Sequence, residues 1–322
     1  MLRYSEKFTE ERLIMEYNAL FIGSSTKDII MLVDAPPESD QRISASRYTV
    51  SLGGVASTAA AAHQKLGGST AMITIVGKDE TGEYIAADLN ARHYAWLQLL
   101  HTDKAPSSIS MIQVEQNGKR CITHYGGCIK EMTFERLDLS ALPHSRFLHL
   151  GVMNPDLMLR LARYCKEETN ALLSIDGGNI SKDLADELLP FADIFIPDHK
   201  TAMKTLGLAP REACSYYVEH GAGFAAVTAA ENGVVAYDGT DWYQAPAIHV
   251  NLLDTLGAGD NFHGAFLYAM SQDWDMNRRL FFSNIFASLS CEGLGGRSAA
   301  PSLETVLKKM EEIPSGNYGR IV

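Results

Sequence analysis

Short apolar runs separated by polar, glycine-bearing loops recur along the chain, and their spacing predicts alternating strands and helices. Residues 19–22 form an apolar run ending at Gly23-Ser24, a buried strand entering a loop. Residues 71–77 form a second run, followed by a polar turn over 78–82 and a helix through about Asn90. Runs at 147–152, 172–176, 194–198 and 225–228 come next, with helical stretches between most of them. Regular alternation of this kind predicts a parallel, doubly wound sheet with helices on both faces. Ligands then bind beyond the carboxyl ends of the strands. Asp28, Asp176, Asp198, Thr228 and the loop at Asp260 all fall at predicted strand ends or just after them.

Two stretches break this rhythm. Between 29 and 50 the pattern weakens, with Pro36-Pro37 and a polar patch through Arg42. Residues 108–114 and 120–125 alternate in character and meet through Asn117-Gly118, a strong hairpin signal. Near the C-terminus, residues 284–288 are expected to open a helix that leads to Gly293, Gly295, Gly296 and Arg297.

The richest chemistry lies in the string Asp254-Thr255-Leu256-Gly257-Ala258-Gly259-Asp260, which runs into Asn261-Phe262-His263-Gly264-Ala265. Glycines allow a sharp turn and a close ligand, and the first turn of the helix offers unpaired N–H groups at its positive end. That place suits phosphate oxygens. A carboxylate there would repel a resting phosphate, so the natural work for Asp260 is that of a general base.

This string resembles the C-terminal signature of the ribokinase-type (PfkB) carbohydrate kinases. The resemblance implies that Asp260 removes a proton from a substrate hydroxyl. It also implies that the amides of Gly257, Ala258 and Gly259 form the anion hole for the transferred group. Ser51-Leu52-Gly53-Gly54, followed by the small-residue helix around Thr58, resembles the N-terminal signature of the same family. Thr58 stands where many members carry asparagine, and it reaches less far. Asp28 matches the position of a sugar-hydroxyl ligand, and a carboxylate accepts two hydrogen bonds from neighbouring hydroxyls; the alternative is a solvated loop acid. The resemblance makes the hairpin part of a small β-sheet lid, with lid segments at about 29–50 and 106–128 inserted in a kinase domain over 18–322. Such lids often pair between subunits, so a homodimer is expected. Arg42, Arg120 and His124 on the lid either meet an acidic substrate group or are solvated charges.

On the nucleotide side the match runs through Thr228 and Gly233, with Asn284 and Gly296 as adenine-side candidates. ATP and Mg2+ are the implied cofactors. Carbonyls near Asp254 and Leu256 hold a monovalent cation such as K+ in some relatives, which leaves open whether one binds here. Two departures stand out. Asp198-His199-Lys200-Thr201 replaces the common Asn-x-x-Glu, leaving Asp198 to organise magnesium through water while Thr201 lacks a glutamate's charge. Ala230 replaces a glycine of the nucleotide loop, which predicts a less close approach to ATP. Among relatives, the Gly-Gly-x-Ala-x-Thr-Ala-Ala string and Gly-Gly-Arg look most like the sulfofructose-kinase branch.

Composition narrows the alternatives. At 322 residues with 46% apolar content, the chain can bury a substantial core. A formal net charge of −11 without a basic stripe argues against nucleic-acid binding. No window approaches the ~18 apolar residues of a membrane span. Five scattered cysteines without a Cys-x-x-Cys pair suit a reducing cytoplasm. Residues 1–17 read either as a short extra helix or as a frayed extension. The expected activity is ATP-dependent phosphorylation of a primary hydroxyl of a sugar or sugar derivative. A nucleoside kinase of the same fold and a catalytically weak nucleotide- or sugar-sensing protein are the alternatives.

Overall fold

The computed structural model describes residues 16–313 and, as backbone, 319–321. The expected extension, apart from its last two residues, lies outside these. The main sheet starts from β1 (Tyr17–Ile22), an apolar strand whose alternate residues point to opposite faces. Ala19 and Phe21 join one hydrophobic core, and Leu20 and Ile22 join the other. A strand covered on both faces needs apolar residues at consecutive positions, which is why the sequence shows runs here rather than alternation.

The chain leaves at once for a second sheet through β2 (Thr26–Val33) and β3 (Arg47–Gly53). It returns by α1 (Val55–Lys65) and β4 (Thr70–Gly77), then α2 (Glu80–Ala91) and β5 (Trp96–Thr102). The hairpin β6 (Ile109–Glu115) and β7 (Arg120–Tyr125) completes the small sheet, in the order β3-β2-β6-β7. Asn117-Gly118 makes the connection, with Gly118 at φ 78°. The alternation of β6 buries Ile112 and Val114 against Ile30 and exposes Met111.

Strand–helix alternation then resumes with β8 (Ser145–Leu150), α3 (Pro155–Glu168), β9 (Leu172–Asp176), α4 (Lys182–Leu188) and β10 (Ile194–Ile196). It continues with α5 (His199–Leu206), α6 (Pro210–Glu219) and β11 (Phe224–Thr228). The hairpin β12 (Val234–Tyr237) and β13 (Trp242–Ala245) follows, then α7 (Ala258–Met270), α8 (Met276–Ser290), α9 (Leu303–Glu311) and β14 (Gly319–Ile321). The main sheet has ten strands in the order β14-β13-β12-β11-β10-β9-β8-β1-β4-β5. Strands β11, β10, β9, β8, β1, β4 and β5 are mutually parallel, and β12, β13 and β14 extend one edge antiparallel. The core residues of α1, α2, α7, α8 and α9 lie in one cluster and those of α3, α4, α5 and α6 in the other, one cluster for each face of the sheet.

Helix starts follow capping chemistry. Asp79, Asn154, Ser181, Asp198, Asp275 and Ser302 each accept a hydrogen bond from a first-turn N–H of the helix they precede. One expectation is corrected by this rule. The helix bearing Asn284 opens at Met276, after the Asp275 cap, so Asn284 sits inside α8 rather than at its start. Strands β2, β3, β5, β12 and β13 go beyond the predicted set, because their polar and half-buried positions dilute the apolar signal, and β14 is a further strand outside it. Among the described residues, no helix is long and apolar enough to cross a membrane.

Candidate active site

Seven parallel strands direct their carboxyl ends to one edge of the sheet, and the chemistry-bearing residues gather there. Asp176 is the last residue of β9, Thr228 is the last of β11, and Asp198 follows β10 by two residues. Asp198 and Thr228 form an isolated parallel bridge. The start of α7 meets this edge because α7 lies against α1, where Gly264 faces the Ala59 carbonyl so closely that a Cβ would collide with it. The small residues expected to let α1 pack tightly do so here.

Gly257 takes φ 69° as the residue before α7, a left-handed conformation that favours glycine. A Cβ there would lie 3.0 Å from Gly296 Cα and 3.3 Å from the Thr58 methyl, so three predicted site residues converge. The loop is stapled by Asp254, which is buried. Its Oδ1 accepts from Leu256 N at 2.9 Å and its Oδ2 from Gly295 N at 2.9 Å. Asn261 Nδ2 adds a bond to the Gly296 carbonyl at 2.6 Å. Gly296 therefore packs on the 256–257 turn. The N–H of Ala258 turns back to the Thr255 carbonyl at 3.3 Å, whereas those of Gly257 and Gly259 have no hydrogen-bond partner among the described residues. Two of the three expected anion-hole amides are thus free to meet an anion, and the third is engaged in a long turn bond.

Asp260 lies in the first turn of α7, partly exposed yet set deep among protein atoms. Burial first, then the Asp176 charge, pushes its carboxyl up to about 7; His263 and Arg297 oppose the shift and Asp28 adds to it. A carboxyl titrating near neutrality suits a group that must both accept and release a proton.

Asp28 is in strand β2 rather than in a loop, paired in register with Ser51 and Ser110. It is buried, and its carboxylate lies over Gly53 so closely that any Cβ there would collide with it. Gly54, at φ 94°, presses against the Ser24 carbonyl, where a Cβ would come within 2.5 Å. Burial raises the Asp28 carboxyl to about 6, against lowering by Ser110 and Arg297. Ser110 Oγ also pairs with His124 Nδ1 at 3.1 Å, so His124 is tied to the lid sheet. Arg120 reaches from β7 to the Thr255 hydroxyl, which links the lid to the 254–260 loop, while Arg42 is exposed. Arg297 closes the Gly-Gly-Arg string and is a site-facing residue beyond the predicted set. It is buried, donates to Ser57 Oγ at 2.6 Å and lies 3.5 Å from Asp88.

The nucleotide-side expectations separate. Gly233 takes φ 82° against the Ala245 carbonyl, and Ala230 takes φ 49°, a backbone state glycine adopts with less strain. The loop keeps a glycine-like path with alanine in place. A cleft of about 660 Å³ borders it, lined among others by His199, Lys200, Lys204, Ala229 and Asn232. Asn284 is nearly buried, and its Nδ2 donates to the carbonyls of Ala245 at 3.1 Å and Pro246 at 2.6 Å. Its donors hold that corner of the main chain, leaving the oxygen for any ligand.

Asp198 serves α5 as its cap: Oδ1 accepts from Lys200 N at 2.8 Å and Thr201 N at 3.0 Å, and Oδ2 accepts from Thr201 Oγ1 at 3.0 Å. Thr201 in turn accepts from Asn179 N at 3.1 Å. The missing glutamate is replaced by a hydroxyl that braces the Asp198 loop. Among the described residues, no three acids, histidines or cysteines gather as a metal cage. A magnesium ion keeps several waters and takes one or two carboxylates, so a single carboxylate such as Asp198 would suit it.

The chain was compared with known proteins. It is 25% identical over 301 residues to a ribokinase of Lactococcus lactis subsp. lactis (strain IL1403), a match covering 92% of this chain and 98% of that one. It is 26% identical over 298 residues to a deoxyribokinase of Salmonella typhimurium, covering 88% of this chain and 95% of that one. The crystal structure of Thermotoga maritima ribokinase superposes with a TM-score of 0.80 at 23% identity, covering 92% of this chain and 99% of that one. The model of the pfkB family carbohydrate kinases matches residues 17–303, nearly the whole described chain. The fold and the two glycine-rich signatures agree with that match, and the chain belongs to the pfkB family of carbohydrate kinases.

Proposed function

We propose that the chain transfers the γ-phosphoryl group of ATP to a primary hydroxyl of a sugar or sugar derivative. The observation that carries this reading is the Asp260 carboxylate in the first turn of α7, beside the unbonded N–H groups of Gly257 and Gly259. In this reading Asp28, with Gly53, Gly54 and Thr58 around it, receives the sugar hydroxyls. Asp260 accepts the hydroxyl proton as the oxygen attacks phosphorus. The Gly257 and Gly259 amides, with Ala258 between them, meet the charge that builds on the transferred group. Positioning and electrostatics supply most of the rate in such transfers.

Thr228, Gly233 and Asn284 line the nucleotide side, and Gly296 supports the anion-binding turn. Magnesium bound by ATP would neutralise phosphate charge, with Asp198 orienting one of its waters. The 254–256 and 294–296 segments, held together by Asp254, are where main-chain carbonyls would receive a monovalent cation such as K+. The acidic chain works in the cytoplasm, away from nucleic acid and membrane, on small-molecule partners.

A screen of ADP release across sugars, sulfosugars and nucleosides tests the reading. Turnover with a sugar or sugar derivative is expected; turnover restricted to nucleosides would replace this reading with that of a nucleoside kinase.

The lid also carries an assembly expectation. All six residues of β7 are exposed, and Tyr48, Met111, Ile122 and Tyr125 place large apolar groups on this small sheet. An exposed apolar edge invites pairing with another chain. A homodimer through the lids is expected, and light scattering at micromolar concentration should give twice the monomer mass; a clean monomer would contradict it.

A further inference from the structure

Behind the sheet edge lies a group of buried titratable side chains that the proposed transfer does not use. His263 follows Asp260 by three positions on α7, so both project from one side of the helix. His263 is nearly fully buried, and its Nε2 lies 3.5 Å from Asp176 Oδ1. Asp176 is itself fixed at the end of β9, where Oδ1 accepts from Gly178 N at 2.7 Å. On the other side, the His149 ring stands 5.0 Å from that of His263, centre to centre, with Phe21 between His149 and His63 in a tilted stack.

The surrounding charges sort these rings. His63 and His149 are pushed down to about 3, chiefly by burial, and are therefore neutral. His263 moves the other way: burial opposes its charge, but Asp176, by charge and hydrogen bond, and Asp260 overcome that cost. Asp260 faces Asp176 from β9, His263 from its own helix, Asp28 from the lid and Arg297 from the loop after α8. Two of those four are anions that disfavour a second carboxylate, and His263 is the cation locked nearest in the chain.

We infer that His263, held in place by Asp176, is a positioning residue for Asp260, its positive charge offsetting the repulsion that Asp176 brings and so favouring the proton-accepting form of the Asp260 carboxylate. The inference rests on the reading of Asp260 as the base. An aspartate alone at this place would repel Asp260, and a histidine alone would lose its proton to burial. Asp176 holds the imidazole in place, and the charge of the imidazole offsets the repulsion between the two carboxylates.

The test is the pH dependence of kcat/KM for the sugar substrate in His263→Gln, whose amide can still donate to Asp176 but carries no charge. Removing an opposite charge from beside a carboxyl raises it by about one unit or more. The acid limb should therefore move up by about one pH unit, a loss of roughly ten-fold near pH 6 and almost none near pH 9. An equal loss at every pH would mean a merely structural role and would overturn the inference. Asp176→Asn removes a repelling anion and frees His263 to lose its charge, so its limb should move less than that of His263→Gln. If His263→Gln does not fold, the imidazole nitrogens of 15N-histidine-labelled parent protein report directly. A His263 that holds its proton to higher pH than an ordinary imidazole is expected, and a ring that gives it up at lower pH overturns the inference. Failure of the underlying reading shows separately, as an Asp260→Asn variant that keeps its turnover.

Discussion

Asp260→Asn is expected to lower kcat by about 10²–10⁴ while leaving sugar and nucleotide binding largely intact. Asparagine keeps the size and the first-turn position of the side chain, so the loop staple of Asp254, Asn261 and Gly295 has no reason to move. What disappears is the first-turn carboxylate of α7, the turn entered through Gly257 and Gly259, whose N–H groups have no hydrogen-bond partner among the described residues. The substrate hydroxyl then has to lose its proton to water during attack. Some rate should survive, because the amides and the bound magnesium still stabilise the transferred group. The loss should fall on kcat and on kcat/KM alike, the signature of an interaction made in the transition state. Steady-state kinetics with both substrates varied measures this, and a variant within three-fold or so of the parent would remove Asp260 from the mechanism.

Gly264→Val is expected to destabilise the whole domain rather than weaken one step. At this position a Cβ collides with the Ala59 carbonyl and lies 2.8 Å from the Ala62 methyl, so the obstruction is partly main chain and cannot rotate away. Two helices that carry opposite halves of the site, α1 with Thr58 and α7 with Asp260, would have to separate. Overpacking against a rigid neighbour sits at the upper end of its usual cost, about 3 kcal/mol. For a domain of this size that corresponds to a melting temperature lower by roughly 6–12 °C. Turnover should suffer as well, because the Thr58 methyl and Gly257 are in near contact across the same interface. Thermal melts followed by circular dichroism give the answer, and an unchanged melting temperature would show that the helices can part at little cost.

Much of this molecule is legible in its sequence where one residue type performs one local task. Gly257, Gly233 and Gly54 adopt positive φ, and each lies in a glycine string read as a turn or close approach. The parallel core strands show as apolar runs because both of their faces are covered. Asn117-Gly118 announces the lid hairpin. What escapes is decided by tertiary context. Asp28 reads as a loop acid, yet it belongs to a strand whose neighbours Ser51 and Ser110 arrive from distant segments. Asn284 reads as a helix start, yet its amide spends its donors on the corner at 245–246. Ala230 and Thr201 look like losses in the string, and the structure shows a glycine-like φ at the first and a bracing hydroxyl at the second. Asp176 and His263 carry no shared pattern, because only the tertiary fold brings the first turn of α7 to the end of β9.

This chain is expected to make a phosphorylated sugar from ATP. The most direct measurement incubates the protein with magnesium, ATP and a pool of sugars and sugar derivatives, and follows the mixture by mass spectrometry beside calorimetry of the same ligands. A new species heavier by one phosphoryl group is expected, formed in step with ADP and far more slowly with Asp260→Asn. Tight binding of sugar and ATP without any sugar phosphate would contradict it and identify a sensor built on a kinase fold.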